Sequence, residues 1–240
     1  MEILAFIQHW VFWLFDFIMH IDVHLDELVS QYGWQTYFIL FIIVFWETGV
    51  VVCPFLPGDS LLFAAGAIAH RPDSPLSPLV LFLVIASAAF LGDTFNYWIG
   101  RKIGPKVFKK DGRFLKKKYL DKTRDFYDHY GASTIIIARF VPIVRTFAPF
   151  VAGVGQMVYP RFMFFNIIGG VSWSAIFITA GYLFGGLSAV RKNFTMVILA
   201  IIVISVMPMV IEAIKIKRQN RLSQNAPLAK PKVNSKTNSD

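Results

Sequence analysis

Seven apolar runs set the pattern of this chain, at residues 3–19, 36–54, 55–69, 76–100, 132–155, 162–187 and 194–214. Between them lie short polar links, one long basic link and, at the end, a polar tail. A helix needs about 20 apolar residues to cross a bilayer. The runs at 76–100, 162–187 and 194–214 reach that length and predict spanning helices. The run at 3–19 is shorter and carries His9 and Asp16; a tilted span and an interfacial helix both fit it. Residues 36–69 are broken by Cys53-Pro54 and Pro57-Gly58, and residues 132–155 by Pro142 and Pro149 before Ala152-Gly153. Proline removes a backbone donor and clashes with the preceding turn. Broken backbone at membrane depth is tolerated only where protein or a wet cavity surrounds it. Each broken region therefore predicts a re-entrant helical hairpin, with a pair of proline-kinked spans as the alternative.

Composition agrees with a bilayer as solvent. The chain is 55% hydrophobic and 16% charged, against about a quarter charged in soluble domains. Cys53 is the one cysteine, so no intrachain disulfide forms. No Lys or Arg precedes Arg71, so the start lacks the basic region of a secretory leader. Residues 1–100 hold one basic and nine acidic residues, and residues 101–240 hold 23 basic and six acidic ones. The basic residues lie beside apolar runs, which favours a positive-inside membrane protein over a nucleic-acid surface. Residues 101–124 alone carry eleven basic residues, including Lys116-Lys117-Lys118, and the tail 215–240 carries seven. Both segments are expected in the cytoplasm. That requires an even number of crossings between them, which results if 132–155 dips in and returns. Arg191-Lys192 then faces outward, at a minor cost, together with residues 20–32 and 70–77.

The two halves echo each other. Tyr32-Gly33 with Thr36 resembles Tyr130-Gly131 with Thr134, and Phe55-Leu56-Pro57 resembles Phe140-Val141-Pro142. Small-residue stretches follow, ending in Gly66 and Gly153, and Gly100 with Gly104 echoes Gly181 with Gly185. With the topology above, the units enter from opposite sides, as in the inverted repeats of many transporters. The expected architecture is an all-α polytopic membrane protein, an inverted repeat with two opposed re-entrant hairpins and about four spanning helices. Its parts are an N-terminal helix and outward loop (1–31), a membrane domain (32–217) and a basic, disordered tail (218–240). Within the membrane domain lie repeat one (32–104), the basic loop (101–131), repeat two (130–185) and a last span (194–214).

Five ionisable residues sit inside apolar sequence: Glu47, Asp59, Asp93, Arg139 and Arg145. Each costs about 3 kcal/mol near the bilayer centre, so such residues pair, face water or work. Glu47 and Asp59 belong to the first broken region, Arg139 and Arg145 to the second. Opposed hairpins would set two carboxylates against two guanidiniums. Arginine presents a planar fork suited to phosphate and stays charged when buried. Arg139 and Arg145 are thus candidates for holding a phosphate headgroup, with Glu47 and Asp59 as proton-exchanging partners. Asp93 and the breakers Pro57, Gly58, Pro142 and Pro149 are secondary candidates. A purely structural ion-pair network is the competing reading.

Glu47-Thr-Gly, Phe55-Leu-Pro-Gly-Asp59, Gly92-Asp93, Gly100-Arg101 and the block from Ala138 to Gly153 together resemble the DedA family, over about residues 20–217. That resemblance implies a multi-pass protein of the bacterial inner membrane, with its C-terminus in the cytoplasm. Members share their VTT (SNARE-associated) domain with lipid scramblases of the endoplasmic reticulum and Golgi. It implies transbilayer movement of phospholipid-type substrates, in several members undecaprenyl phosphate, tied to the proton motive force and serving the cell envelope. The family's essential acidic pair falls on Glu47 and Asp59, and its essential arginines on Arg139 and Arg145. The expected partners are membrane lipids and protons, with a homo-oligomer left open.

Weaker signals suggest less. His20, Asp22 and His24 sit at i, i+2, i+4, but zinc wants three or four converging ligands, and no metal or other cofactor is expected. Gly100/Gly104 and Gly181/Gly185 suit close helix packing rather than phosphate loops, since no Lys-Ser/Thr follows. The tryptophans read as interface or packing residues. A lipid phosphatase would need a phosphate-transfer histidine, and all five histidines lie outside the Arg139–Arg145 block, so an enzyme is not expected. A non-transporting assembly factor and a proton-coupled small-solute or cation antiporter are the competing functions; the antiporter would gain nothing from two buried positive charges.

Overall fold

In the absence of water a backbone must satisfy its own N–H and C=O groups, and apolar runs do so as helices. A computed structural model describes residues 20–50, 58–107, 131, 133–205, 207 and 211 of the chain. Among these residues every regular element is helical. The run at 3–19, Cys53-Pro54, Pro57, most of the basic loop and the tail from 218 fall outside them. The helices all belong to one compact unit, Met1–Val206.

Helix α1, Ile21–Tyr32, leads through a 3-10 turn at Gly33–Gln35 into α2, Thr36–Gly49. Then come α3, Gly58–Ala69, and α4, Pro78–Val107. The second half has α5, Thr134–Ala138, α6, Pro142–Val154, α7, Tyr159–Phe184, and α8, Ser188–Lys192. A last apolar helix, α9, covers Phe194–Ser205. Residues 20–31, whose acidic side chains suggest a loop, are instead largely helical. Ile21, Leu25 and Val29 recur every fourth residue and bury one face of α1, so the acidic side chains sit on an amphipathic helix.

Among the described residues three helical stretches are long and apolar enough to cross a membrane: Ile21–Gly49, Pro78–Ile103 and Tyr159–Phe184. Their outer faces expose large apolar side chains, among them Phe38, Trp46, Leu83, Phe164 and Ile176, as a lipid-facing surface does. The broken regions give shorter helices. At 1.5 Å per residue α3 is about 18 Å long and α6 about 20 Å, against a hydrocarbon core of about 30 Å. Every residue of α3 is buried. A helix covered on every face belongs inside a bundle.

Glycines seat these short helices. α3 crosses α7 where Gly66 meets the Ile178 carbonyl and Gly181 meets the Phe63 backbone. α6 crosses α4 where Gly153 meets the Tyr97 carbonyl and Gly100 meets the Phe150 backbone. Each crossing thus pairs a glycine of the short helix with a glycine of the long helix from the other half. The glycines are those that echo between the halves in sequence, Gly66 with Gly153 and Gly100 with Gly181. A side chain at any of the four would strike backbone, which cannot swing away. Gly66→Ala and Gly153→Ala are expected to destabilise alike, by about 1–3 kcal/mol or more from overpacking, measured as lowered thermal midpoints of the protein in detergent.

Candidate functional site

The short helices begin where the charged residues meet. Among the described residues the buried charged ones are Glu47, Asp59, Asp93, Arg139 and Arg145, each at most 8% exposed. Glu47 lies in the last turn of α2 and Asp59 in the first turn of α3. Asp93 stands midway along α4. Arg139 caps the C-terminal end of α5, and Arg145 occupies the first turn of α6. Pro142 opens α6 at its first position, where its missing N–H costs nothing. Pro149 lies inside α6 and withholds the N–H that the Arg145 carbonyl would otherwise accept. Pro57 falls outside the described residues, while Gly58 starts α3.

Arg145 holds the first half together. Its Nη1 donates to Asp59 Oδ1 at 2.9 Å and its Nη2 to Glu47 Oε1. The Gly58 N–H donates to the same Glu47 oxygen at 3.2 Å, fastening the start of α3 to the end of α2. A Cβ on Gly58 would collide with the Glu47 carboxylate, so a glycine is required there. Asp59 receives two more donors: Trp173 Nε1 on α7 at 2.8 Å to Oδ1 and Ser205 Oγ on α9 at 2.8 Å to Oδ2. Helices α6, α7 and α9 therefore converge on one carboxylate.

Arg139 makes a second centre. It forms an ion pair with Asp93 Oδ2 and donates to Asn166 Oδ1 at 2.6 Å. Asn166 Nδ2 donates onward to the Phe90 carbonyl at 3.1 Å, tying α7 to α4. The Arg139 side chain lies over Gly169, whose added Cβ would stand 3.3 Å from Nε. Trp173 joins the two centres: Arg145 Cζ is 4.9 Å and Arg139 Cζ 6.0 Å from its ring centroid, within the range of cation–π attraction. Asn96 on α4 clips both broken regions, donating to the Thr48 carbonyl at 3.2 Å and the Thr146 carbonyl at 2.7 Å.

The cluster is not fully satisfied. Arg145 Nε and Arg139 Nη1 are buried donors without a partner among the described residues. Glu47 Oε2, Asp93 Oδ1 and Asn96 Oδ1 are buried acceptors in the same condition. An unmade buried hydrogen bond costs about 1–3 kcal/mol, more for a charged group. The arrangement has unused donors on both guanidiniums, which an anion's oxygens could take.

The pairing differs from the expectation of two carboxylates facing two arginines. Glu47 and Asp59 both go to Arg145, and Arg139 takes Asp93, a secondary candidate in the sequence. Spacing could not decide this, because Asp93 is on a regular helix that packs between the broken regions. Trp173, read as interface or packing, is fully buried and donates to Asp59. Asn96, Asn166 and Ser205 carry only a weak signal in the sequence, that of a polar residue within an apolar helical run. Trp173→Phe keeps the ring and removes the N–H. It is expected to cost about 1–2 kcal/mol, against about 3–5 kcal/mol for Trp173→Ala, read from thermal midpoints.

The VTT domain model matches residues 56–183. Protein DedA of Escherichia coli (strain K12) is 52% identical over 209 residues, covering 87% of this chain and 95% of that protein. Inner membrane protein YghB of the same strain is 31% identical, covering 75% of this chain and 79% of that protein. Inner membrane protein YqjA is 34% identical over 150 residues, 62% of this chain and 67% of that protein. No solved structure matches.

Proposed function

The chain belongs to the DedA family of VTT-domain membrane proteins, and from that premise we propose that it carries a phospholipid-type substrate between the leaflets of the inner membrane. The substrate class we assign is a lipid phosphate, undecaprenyl phosphate or a related lipid, moved with the help of the proton motive force and without covalent chemistry. One observation carries this reading: two buried guanidiniums share a tryptophan ring, each with an unused donor, where two short helices begin. Arginine's fork suits a phosphate, and helix starts add partial positive charge. Glu47 and Asp59 occupy Arg145 while no phosphate does, and phosphate exchanges with them. Two buried guanidiniums would repel a small cation, which argues against a cation antiporter.

The matched glycine crossings support an inverted repeat. In this reading α2–α3 and α5–α6 are re-entrant hairpins entering from opposite sides, and four segments span: the run 3–19, α4, α7 and the run 194–214. The basic loop and the C-terminus then lie in the cytoplasm. In intact cells, on a Cys53→Ser background, an impermeant maleimide is expected to label Asp73→Cys and to leave Lys117→Cys unlabelled. Labelling of position 117 from outside sinks this topology. Substrate class is tested by thermal shift of the purified protein. Dodecyl phosphate should raise the midpoint, whereas dodecyl trimethylammonium should not; the reverse order contradicts a phosphate site.

A further inference from the structure

We infer that the buried cluster binds one proton at rest, made necessary by Asp93 as a third carboxylate and held on Glu47 or Asp93. The inference concerns the protein without lipid and does not rest on the transport reading. Among the described residues the cluster contains Glu47, Asp59 and Asp93 against Arg139 and Arg145. Arginine keeps its charge in proteins. With every carboxylate ionised the group carries one negative charge in excess. Removing an uncompensated charge from water costs several kcal/mol even after relaxation, and such groups neutralise instead. One proton balances the cluster.

Among the described residues no other charged side chain is bonded to the cluster, and the starts of α3 and α6 add only partial charge. Asp93 on α4 pairs with Arg139 at the end of α5 and lies within electrostatic reach of Arg145 on α6. The α7 side chains that join the cluster, Asn166 on Arg139 and Trp173 on Asp59, are neutral. The next cation along α4, Arg101, is two turns away, partly exposed and bonded to the Tyr97 hydroxyl at 2.7 Å.

Hydrogen bonding places the proton. Asp59 accepts from Arg145 and Trp173 on Oδ1 and from Ser205 on Oδ2. Both Asp59 oxygens are thus already bonded, Oδ1 to guanidinium and indole N–H groups that only donate. Glu47 and Asp93 each have one oxygen bonded to arginine and one, Oε2 and Oδ1, with no partner among the described residues. A proton turns such an unused acceptor into a donor. Asn96 Oδ1, an unused acceptor, sits one turn along α4 from Asp93. Asp93 therefore acts as a positioning residue for Arg139 and as a member of the proton site.

Infrared spectroscopy tests this on the full chain in nanodiscs without added lipid phosphate. The readout is the carbonyl stretch of protonated carboxylic acid at neutral pH, identified by its shift in heavy water. Relative to the natural protein, Asp93→Asn is expected to lose one protonated carboxyl, and Glu47→Gln to lose the same one. Glu47→Gln with Asp93→Asn should lose no more than either single variant. Arg139→Gln with Asp93→Asn leaves two carboxylates on one arginine, and the protonated band should return. That last result separates charge balance from a local property of Asp93. Equal bands in the natural protein and both single variants overturn the inference. So do additive losses, or a combined Arg139→Gln, Asp93→Asn variant that stays without the band. If Asp93→Asn fails to fold, Glu47→Gln carries the same expectation.

Discussion

Arg145→Lys is expected to lower lipid-phosphate affinity and transport about 100-fold while leaving the net charge unchanged. Arg145 donates through two separate nitrogens to Asp59 and Glu47, and its guanidinium carbon sits over the Trp173 ring. Lysine is a point charge on a flexible stem and cannot hold two acceptors in one plane. Each hydrogen bond to a charged group contributes about 1.5–3 kcal/mol, and losing about 3 kcal/mol corresponds to roughly 100-fold in affinity. Arg145→Gln should go further. It leaves Glu47 and Asp59 buried side by side without their cation, at a cost of about 3–5 kcal/mol in stability. Affinity for dodecyl phosphate and the thermal midpoint, measured on the same samples, separate the two losses. Full function in Arg145→Lys would rule out bidentate phosphate recognition by this residue.

Proton and lipid binding are expected to strengthen each other, with affinity falling about tenfold for each unit rise in pH if one proton is taken up per phosphate. Phosphate monoanion entering the cluster displaces carboxylates from the arginines. The displaced carboxylates are left buried without a cation and take up protons. Lower pH therefore favours the bound state. Glu47→Gln together with Asp59→Asn leaves only Asp93 against two arginines, so the phosphate charge is met without a proton and the dependence should be flat. The phosphate itself gains a proton near pH 6. A phosphonate of different acidity, titrated in parallel, separates the ligand's ionisation from the protein's. If the double variant keeps the full slope with both ligands, Glu47 and Asp59 are structural partners of Arg145 and carry no proton.

How much the sequence disclosed follows from which physics is local. Apolar run length and proline position are local, and they marked α4, α7 and the two broken regions directly. The cost of a charge in an apolar run is also local. It drew attention to Glu47, Asp59, Asp93, Arg139 and Arg145, all five of which are buried together. Pairing is not local. Whether Arg139 meets Glu47 or Asp93 depends on how α5 lies against α4 and α7, and Gly169 and Asn166 decide it. Trp173 was hidden for a similar reason. A tryptophan in an apolar helix looks the same whether its N–H meets an interface or an aspartate. The helix over Ile21–Tyr32 was masked by its acidic residues, although the four-residue recurrence of Ile21, Leu25 and Val29 was there to read.

The most direct test of lipid translocation uses the purified protein in liposomes, with fluorescent undecaprenyl phosphate and fluorescent phosphatidylethanolamine placed in both leaflets. A membrane-impermeant quencher reports the fraction reachable from outside. The natural protein is expected to make the inner-leaflet phosphate lipid reachable, faster with an acid-outside pH gradient, and Arg145→Lys liposomes should match protein-free ones. Retention of the inner-leaflet pool of both lipids with the natural protein, with and without the gradient, would contradict the account.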